Sequence, residues 1–337
     1  MELFGGLPLD DFVDLKEKSF DLSEEIFQSN YVIVGASGFL GKWLSASLSY
    51  FSEESVLKGS LTLVSRDLRN LGELTSVVNS KRNKSISIQE VSKKNLFHLN
   101  SDRTVVVFAA TSTSESGKPV NSLKSNSIEL AEKVVDSLPT SNNHFVHLSS
   151  GGIYDPKARL LNKIPKDYPT QMFSQDQYVN EKILLEKWTE GSKVPGALTV
   201  RNPRLFSFYG PGLQLDRHFV IGEFIRRARE GLTLEIKGNP ANLRSYLYPT
   251  EAVLQILHQC GTSPAQYSQI GSSNPYSILE IAGIIADQFK VDILIENNKE
   301  NLVNNYVPED VPIVHERTMQ EGLKIWENWL KKQSFSS

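Results

Sequence analysis

The sequence holds a single cysteine, Cys260, among 337 residues, which excludes an intramolecular disulfide and a cysteine-rich zinc site. It also lacks any excess of positive charge, since 36 Lys plus Arg stand against 39 Asp plus Glu, for a formal net charge of −3. Proteins that grip nucleic acid usually carry a basic patch, so no nucleic-acid partner is expected. No apolar run approaches the roughly 18 residues of a membrane span; the longest are Tyr31 to Ala36 and Val105 to Ala110. No membrane partner is expected either. Met1-Glu2-Leu3 shows neither the basic nor the apolar stretch that opens a signal peptide, and a cytoplasmic location is the expectation. The six histidines show no ligand spacing, and His144 and His147, three apart on a strand, face opposite ways, so no metal site is expected.

What the chain does have is ordinary globular composition. Hydrophobic residues make up 39%, enough to build a core and to exclude disorder as the dominant state. At roughly 150 residues per domain the length suggests about two domains. Residues 1–30 carry eight acidic and two basic side chains, with Phe12, Leu15, Leu22 and Ile26 at near-helical spacing. They read as an amino-terminal extension of one or two short amphipathic helices that dock on the body.

From Tyr31 the pattern changes. Tyr31-Val-Ile-Val34 is a continuous β-branched run, as a strand buried on both faces of a parallel sheet requires. Gly35-Ala-Ser-Gly38-Phe-Leu-Gly41 follows at once, and then an amphipathic helix starts at Lys42. Strand, glycine turn and helix in that order form a dinucleotide cradle: residues without Cβ let the backbone approach a pyrophosphate, and the helix amino end offers free N–H groups to the anion. Further strands are expected at Leu61–Val64, near Ile86 to Val91, at Thr104–Phe108, Phe145–Leu148 and Leu198–Val200. Right-handed crossovers would wind them into a Rossmann-like, doubly wound parallel α/β sheet.

Ser65 ends the second strand and Arg66 follows. A carboxylate at such a position bonds the adenosine ribose of NAD, whereas a guanidinium pairs with a 2′-phosphate, so NADP is favoured slightly over NAD, with Asp67 as the alternative ribose ligand. Tyr178 and Lys182 are four apart in a segment that reads as a helix, which puts both on one face. Ser149-Ser150 ends the fifth strand 28 residues before Tyr178, where the carboxyl edge of a parallel sheet places its ligand.

With these motifs the sequence resembles the extended short-chain dehydrogenase/reductases, and among them the NAD-dependent epimerase/dehydratase group that acts on nucleotide sugars. The resemblance runs over about residues 31 to 285 and rests on Gly35-x-x-Gly38-x-x-Gly41, Val107-Phe-Ala-Ala110, Ser149-Ser-Gly-Gly-Ile-Tyr154-Asp155, the Tyr178/Lys182 pair, Arg204-Leu-Phe-Ser207-Phe-Tyr-Gly-Pro211, Gly238 through Tyr246, and Gly271 through Glu280. It implies a cofactor-binding domain over 31–210, with a return segment near 244–262, and a smaller α/β substrate-binding part over 211–337. It implies that NADP or NAD is held by Gly35, Ser37, Gly38, Phe39, Leu40, Gly41, Arg66, Ala109, Ala110, Thr111, Asn126, Leu205 and Phe206, together with Tyr178 and Lys182. Ser150, Tyr178 and Lys182 would be catalytic: Ser150 at the reacting oxygen, Tyr178 as general acid/base, and Lys182 lowering the Tyr178 pKa and bonding the nicotinamide ribose. Ser150, Ser207 and Arg244 would contact the substrate, Arg244 at its diphosphate. A homodimer is also implied.

Two departures from the family pattern narrow the reaction. Gly151-Gly152 stand where sugar 4,6-dehydratases carry Asp-Glu, so elimination of water is not expected. Ser207 replaces a substrate-contacting Asn, and the arginines expected near the carboxyl end are absent. The expected activity is hydride transfer at a sugar carbon, C4 in the first place, as an epimerase or a keto-sugar reductase. The alternatives are a short-chain reductase of a non-nucleotide carbonyl compound and a non-catalytic dinucleotide-binding protein.

Overall fold

The computed structural model describes residues 1–78, 85–90, 103–111, 126–138, 142–191, 198–215, 219–261, 268–296, 302–312 and 316–334. Six strands form the central sheet: β1 (Asn30–Val34), β2 (Leu61–Ser65), β3 (Ile86–Glu90), β4 (Thr104–Phe108), β5 (Asn143–His147) and β6 (Leu198–Arg201). All neighbours are parallel and the order is β3-β2-β1-β4-β5-β6. This is the doubly wound order whose topological switch lies between β1 and β4. The expected strands coincide with these within two residues, except that Val91, the expected end of the third, lies outside the described residues.

The sheet is apolar on both faces because helices cover both. One face packs Ile33, Leu63, Val105 and Val107 against Trp43 and Leu44 of α2 (Phe39–Glu53) and Val253 and Leu257 of α6 (Pro249–Cys260). The other packs Val32, Val34, Phe108 and Phe145 against Ala131 and Val134 of α3 (Asn126–Asp136) and Leu185 of α4 (Gln177–Glu190). A further core joins α5 (Val220–Arg229), α7 (Ile278–Phe289) and α8 (Met319–Ser334) around Phe224, Ile225, Ile281, Ile285 and Trp326. No helix among the described residues is long and apolar enough to cross a membrane.

The first 30 residues are part of this fabric. Phe12 and Leu15 on α1 (Leu9–Lys18) are fully buried, and the Phe12 ring lies 5.5 Å from that of Trp43. Asp11, 1% exposed, accepts from the Tyr248 hydroxyl at 2.7 Å and pairs with Arg317 at 2.7 Å. The acidic surplus of this segment is thus partly spent on one arginine near the other end of the chain. Trp329 adds a hydrogen bond from its indole to the Gly6 carbonyl.

Beyond the carboxyl ends of the main strands lies a small parallel sheet, Gln269–Ile270, Arg204–Leu205 and Ser149–Ser150 in that order. Its register sets Leu205 beside Ser150. The ion pair between Arg204 and Glu186, at 2.9 Å and nearly buried, ties this sheet to α4.

Candidate active site

The glycine turn is shaped by sterics at two of its three glycines. Gly35 has φ +87°, and a Cβ there would lie 2.8 Å from the Ala110 amide nitrogen, so the turn after β1 presses directly on the end of β4. A Cβ at Gly41 would lie 2.0 Å from the Gly35 carbonyl oxygen. Gly38 differs, because its Cβ would meet only that same oxygen, at 3.4 Å. Gly38 is the N-cap of α2 with no side-chain cap, and the first helical bond runs from Lys42 N–H to Gly38 O. The amides of Phe39, Leu40 and Gly41 therefore precede the helical ladder and open toward the switch-point crevice. Ser37 borders the same turn, its hydroxyl 3.1 Å from that of Ser65.

At the end of β2, Ser65 is buried while Arg66 is exposed. The Asp67 carboxylate is gripped by Arg69, with Arg69 Nη2 at 2.6 Å, and this guanidinium holds the carboxyl below its ordinary range. Ala109, Ala110 and Thr111 follow β4 at half-buried positions, with the Ala109 amide bonded to the Val34 carbonyl. Asn126 starts α3, and its side chain lies outside the described residues.

Across the crevice, Ser150 caps a short turn, its Oγ accepting from the Gly152 amide at 3.0 Å. Asp176 caps α4 by accepting from the Val179 amide, which orients the first turn that carries Tyr178. Ser150 lies near enough to Tyr178 to favour its ionised form. Lys182, one turn on, donates from Nζ to the Leu148 carbonyl at 2.6 Å and lies 5.7 Å from the Tyr178 ring centroid. Ser150, Tyr178 and Lys182 thus converge at one corner of the crevice. The surrounding protein pushes the Tyr178 phenol up to about 12, but the residue is 40% exposed to the cleft, and water there offsets part of that rise.

Lys182 is 2% exposed, and burial pulls its ammonium down to about 7, against the pull of Glu186 and Glu181. A lysine with a folded pKa below its unfolded value near 10.5 destabilises the fold most when both states are charged, and that cost fades as pH rises between the two values. Lys182→Met is therefore expected to raise the melting temperature of the ligand-free protein at about pH 6 and to change it much less at about pH 10. Paired thermal melts check this; an equal gain at both pH values would contradict it. His147, fully buried nearby, donates from Nδ1 to Asn202 Oδ1 at 3.0 Å, and burial keeps its ring neutral.

Two further groups here, Tyr306 and Arg159, had no signal in the sequence. Tyr306 comes from the irregular stretch after Leu302, yet its hydroxyl donates to the Leu205 carbonyl at 3.3 Å and stands 3.0 Å from where a Cβ on Gly151 would lie. Its ring lies 4.6 Å from Phe206 on one side, with the Arg159 guanidinium 3.8 Å from its centroid. Arg244 pairs with Tyr306 through a parallel bridge. Its Nη1 donates to the Leu243 and Asn304 carbonyls. Arg159 and Arg244 are close enough to repel each other, burial lowers the pKa of each, and neither has an ion-pair partner among the described residues. Leu205 and Phe206 are buried beside Ser150, while Ser207 is half-buried in a two-strand pairing with Tyr246.

A sequence profile described as the NAD dependent epimerase/dehydratase family matches residues 31–268, a span that includes the glycine turn, Ser150, Tyr178 and Lys182. The chain belongs to that family. A trifunctional UDP-glucose 4,6-dehydratase/UDP-4-keto-6-deoxy-D-glucose 3,5-epimerase/UDP-4-keto-L-rhamnose-reductase of Arabidopsis thaliana is 25% identical over 276 residues, 78% of this chain and 40% of that protein. The matches cover between 31% and 40% of the length of the curated relatives. Among solved structures, UDP-glucuronic acid 4-epimerase from Bacillus cereus, in complex with UDP-glucuronic acid and NAD, superposes with a TM-score of 0.65 at 15% identity, over 90% of this chain and 99% of that one. UDP-glucose 4-epimerase from Thermotoga maritima, with UDP-glucose, gives 0.67 at 18% identity over the same shares. At these identities the structures speak for the fold.

Proposed function

We propose that this family member is a nucleotide-sugar epimerase or keto-sugar reductase that works by hydride transfer at a sugar carbon, C4 in the first place. The observation that carries the reading is the convergence of Ser150, Tyr178 and Lys182 at the carboxyl edge of the same sheet whose first strand runs into the glycine turn and its open helix amides. That turn fits a dinucleotide: the space above Gly38 is free of side chain and the amides of α2 have no partner within the helix. When bound, NAD or NADP would supply the acceptor and donor of hydride.

The chain's own residues would handle the proton and the substrate. Tyr178 takes the proton of the reacting hydroxyl or returns it to the carbonyl, and Ser150 donates to the same oxygen. Lys182 contributes positive charge that favours the phenolate. Arg244 and Arg159, two neighbouring guanidiniums without a carboxylate partner among the described residues, favour an anionic substrate such as a nucleoside diphosphate. A Cβ at Gly151 would lie 2.9 Å from the Phe206 ring and 3.0 Å from the Tyr306 hydroxyl. No carboxylate fits at that edge as the side chains stand, which argues against 4,6-dehydration. At the ribose end, Asp67 is occupied by Arg69 while Arg66 is exposed, which favours a 2′-phosphate and so NADP.

The test is to identify the dinucleotide that copurifies, then assay UDP-, dTDP-, CDP- and GDP-sugars and their 4-keto forms. Turnover of one nucleotide class is expected, with NADPH consumed by a reductase and a retained dinucleotide recycled by an epimerase. A protein that binds the dinucleotide and turns over none of these would refute the reading.

A further inference from the structure

Ser150 leads into a turn whose next two residues are glycines, and neither position has room for a side chain. A Cβ at Gly151 would lie 2.9 Å from the Phe206 ring, and one at Gly152 would lie 3.1 Å from a Val179 methyl and 3.2 Å from Ser150 Oγ. Two successive glycines form the least restricted backbone a chain can have. Yet this pair supplies the contact that orients Ser150, since the Gly152 N–H donates to Ser150 Oγ at 3.0 Å.

The direction of that contact matters for the chemistry. Ser150 Oγ has one proton and two lone pairs, and an N–H on one lone pair leaves the proton free for a substrate oxygen. If the peptide between Gly151 and Gly152 turned over, a carbonyl would face Ser150 in place of the N–H and take that proton. The bond that closes the turn, from the Tyr154 amide to the Gly151 carbonyl, is long at 3.4 Å.

The restraint comes from Gln171. Its side-chain Nε2 donates to the Gly152 carbonyl at 2.9 Å and to the Tyr154 carbonyl at 3.3 Å, and its backbone N–H donates to the Ile153 carbonyl at 2.9 Å. One half-buried residue thus holds three successive carbonyls of the turn. Its own segment is fixed on both sides. The Asp155 amide donates to the Pro169 carbonyl at 2.8 Å, Tyr154 and Thr170 pair in an antiparallel bridge, and Lys187 of α4 donates to the Met172 carbonyl at 2.9 Å. The clamp is therefore anchored to the turn and to the helix that carries Tyr178.

We infer that Gln171 is a positioning residue for Ser150: its side-chain amide locks the Gly151–Gly152 backbone so that the Gly152 N–H faces Ser150 Oγ and the serine proton stays available to the reacting oxygen. The inference rests on the proposed role of Ser150 in the chemistry. Backbone bonds fix where the Pro169–Gln171 segment lies, and the side-chain amide is what reaches Gly152, so replacing the side chain isolates the effect.

Gln171→Met keeps the length of the side chain and removes both donors. Hydrogen exchange of the Gly152 amide, followed by NMR in the ligand-free protein, is expected to speed up about two- to tenfold, the worth of one neutral hydrogen bond, while the amides of β4 and β5 exchange as in wild type. With the substrate found by the nucleotide-sugar assay, kcat should fall about 10- to 100-fold, with KM and dinucleotide affinity within about twofold of wild type. In a Ser150→Ala background Gln171→Met should lower kcat by less than about twofold further, because the clamp acts through Ser150. Should Gln171→Met fail to fold, Gln171→Glu keeps the side-chain shape, replaces the donors with acceptors and carries the same expectations. Unchanged exchange at Gly152 overturns the inference. So does a loss of kcat that persists undiminished without Ser150, which would mark Gln171 as a packing residue alone. Absence of turnover with every nucleotide sugar would refute the proposed function and leave the exchange measurement to decide whether Gln171 holds Gly152.

Discussion

Tyr178→Phe should lower turnover by about 10²- to 10⁴-fold, the range by which a positioned acid/base accelerates proton transfer, while dinucleotide affinity and melting temperature stay close to wild type. The substitution removes one hydroxyl and leaves the ring in place on α4. The cradle for the dinucleotide phosphates is on another element, the Gly35–Gly41 turn between β1 and α2. Steady-state rates with the substrate found by the nucleotide-sugar assay, alongside a dinucleotide titration, separate the two effects. Turnover within about tenfold of wild type would remove Tyr178 from the chemistry. A joint fall of turnover and dinucleotide affinity would instead mark it as a packing residue.

The second large effect is expected in the glycine turn, where adjacent positions should fail in different ways. Gly41→Ala drives a Cβ to 2.0 Å from the Gly35 carbonyl oxygen, a backbone atom held by the turn. Neither side can give way without moving α2 off the sheet, and we expect more than about 3 kcal/mol of destabilisation. Gly38→Ala places a Cβ 3.4 Å from the same atom, an ordinary contact, at an N-cap with φ −70° that any residue adopts. Its stability should change by less than about 1 kcal/mol. Its cost falls on the ligand: the new methyl occupies the space through which a pyrophosphate reaches the helix amides, and affinity should drop about tenfold or more. Denaturant unfolding and dinucleotide titration of the two variants give the comparison. A Gly41→Ala protein as stable as wild type would mean that the turn is looser than described.

Both predictions concern features that could be read along the chain, because each depends on neighbours in sequence. The strands from Tyr31 to Val200 showed as short β-branched runs because both faces of a parallel sheet are buried. The glycine turn showed because three glycines recur at intervals of three between a strand and a helix. Tyr178 and Lys182 showed because four residues make one helical turn. The smaller strands, such as Ser149–Ser150 and Arg204–Leu205, are two residues long and carry no period that could announce them.

The remaining features depend on contacts between segments far apart in the chain. Asp11 meets Arg317 across 306 positions, which makes the acidic amino-terminal segment a clasp on the carboxyl-terminal helices where sequence suggested a docked extension. Tyr306 comes to lie against Leu205 and Phe206 only because its bridge to Arg244 carries an irregular stretch back over the sheet edge. Arg159 becomes a neighbour of Arg244 by the same fold. Local periodicity thus specified the sheet, the cradle and the Tyr–Lys pair. The surroundings of Ser150 were set by packing between segments more than 50 residues apart, for which a single sequence has no repeating signal.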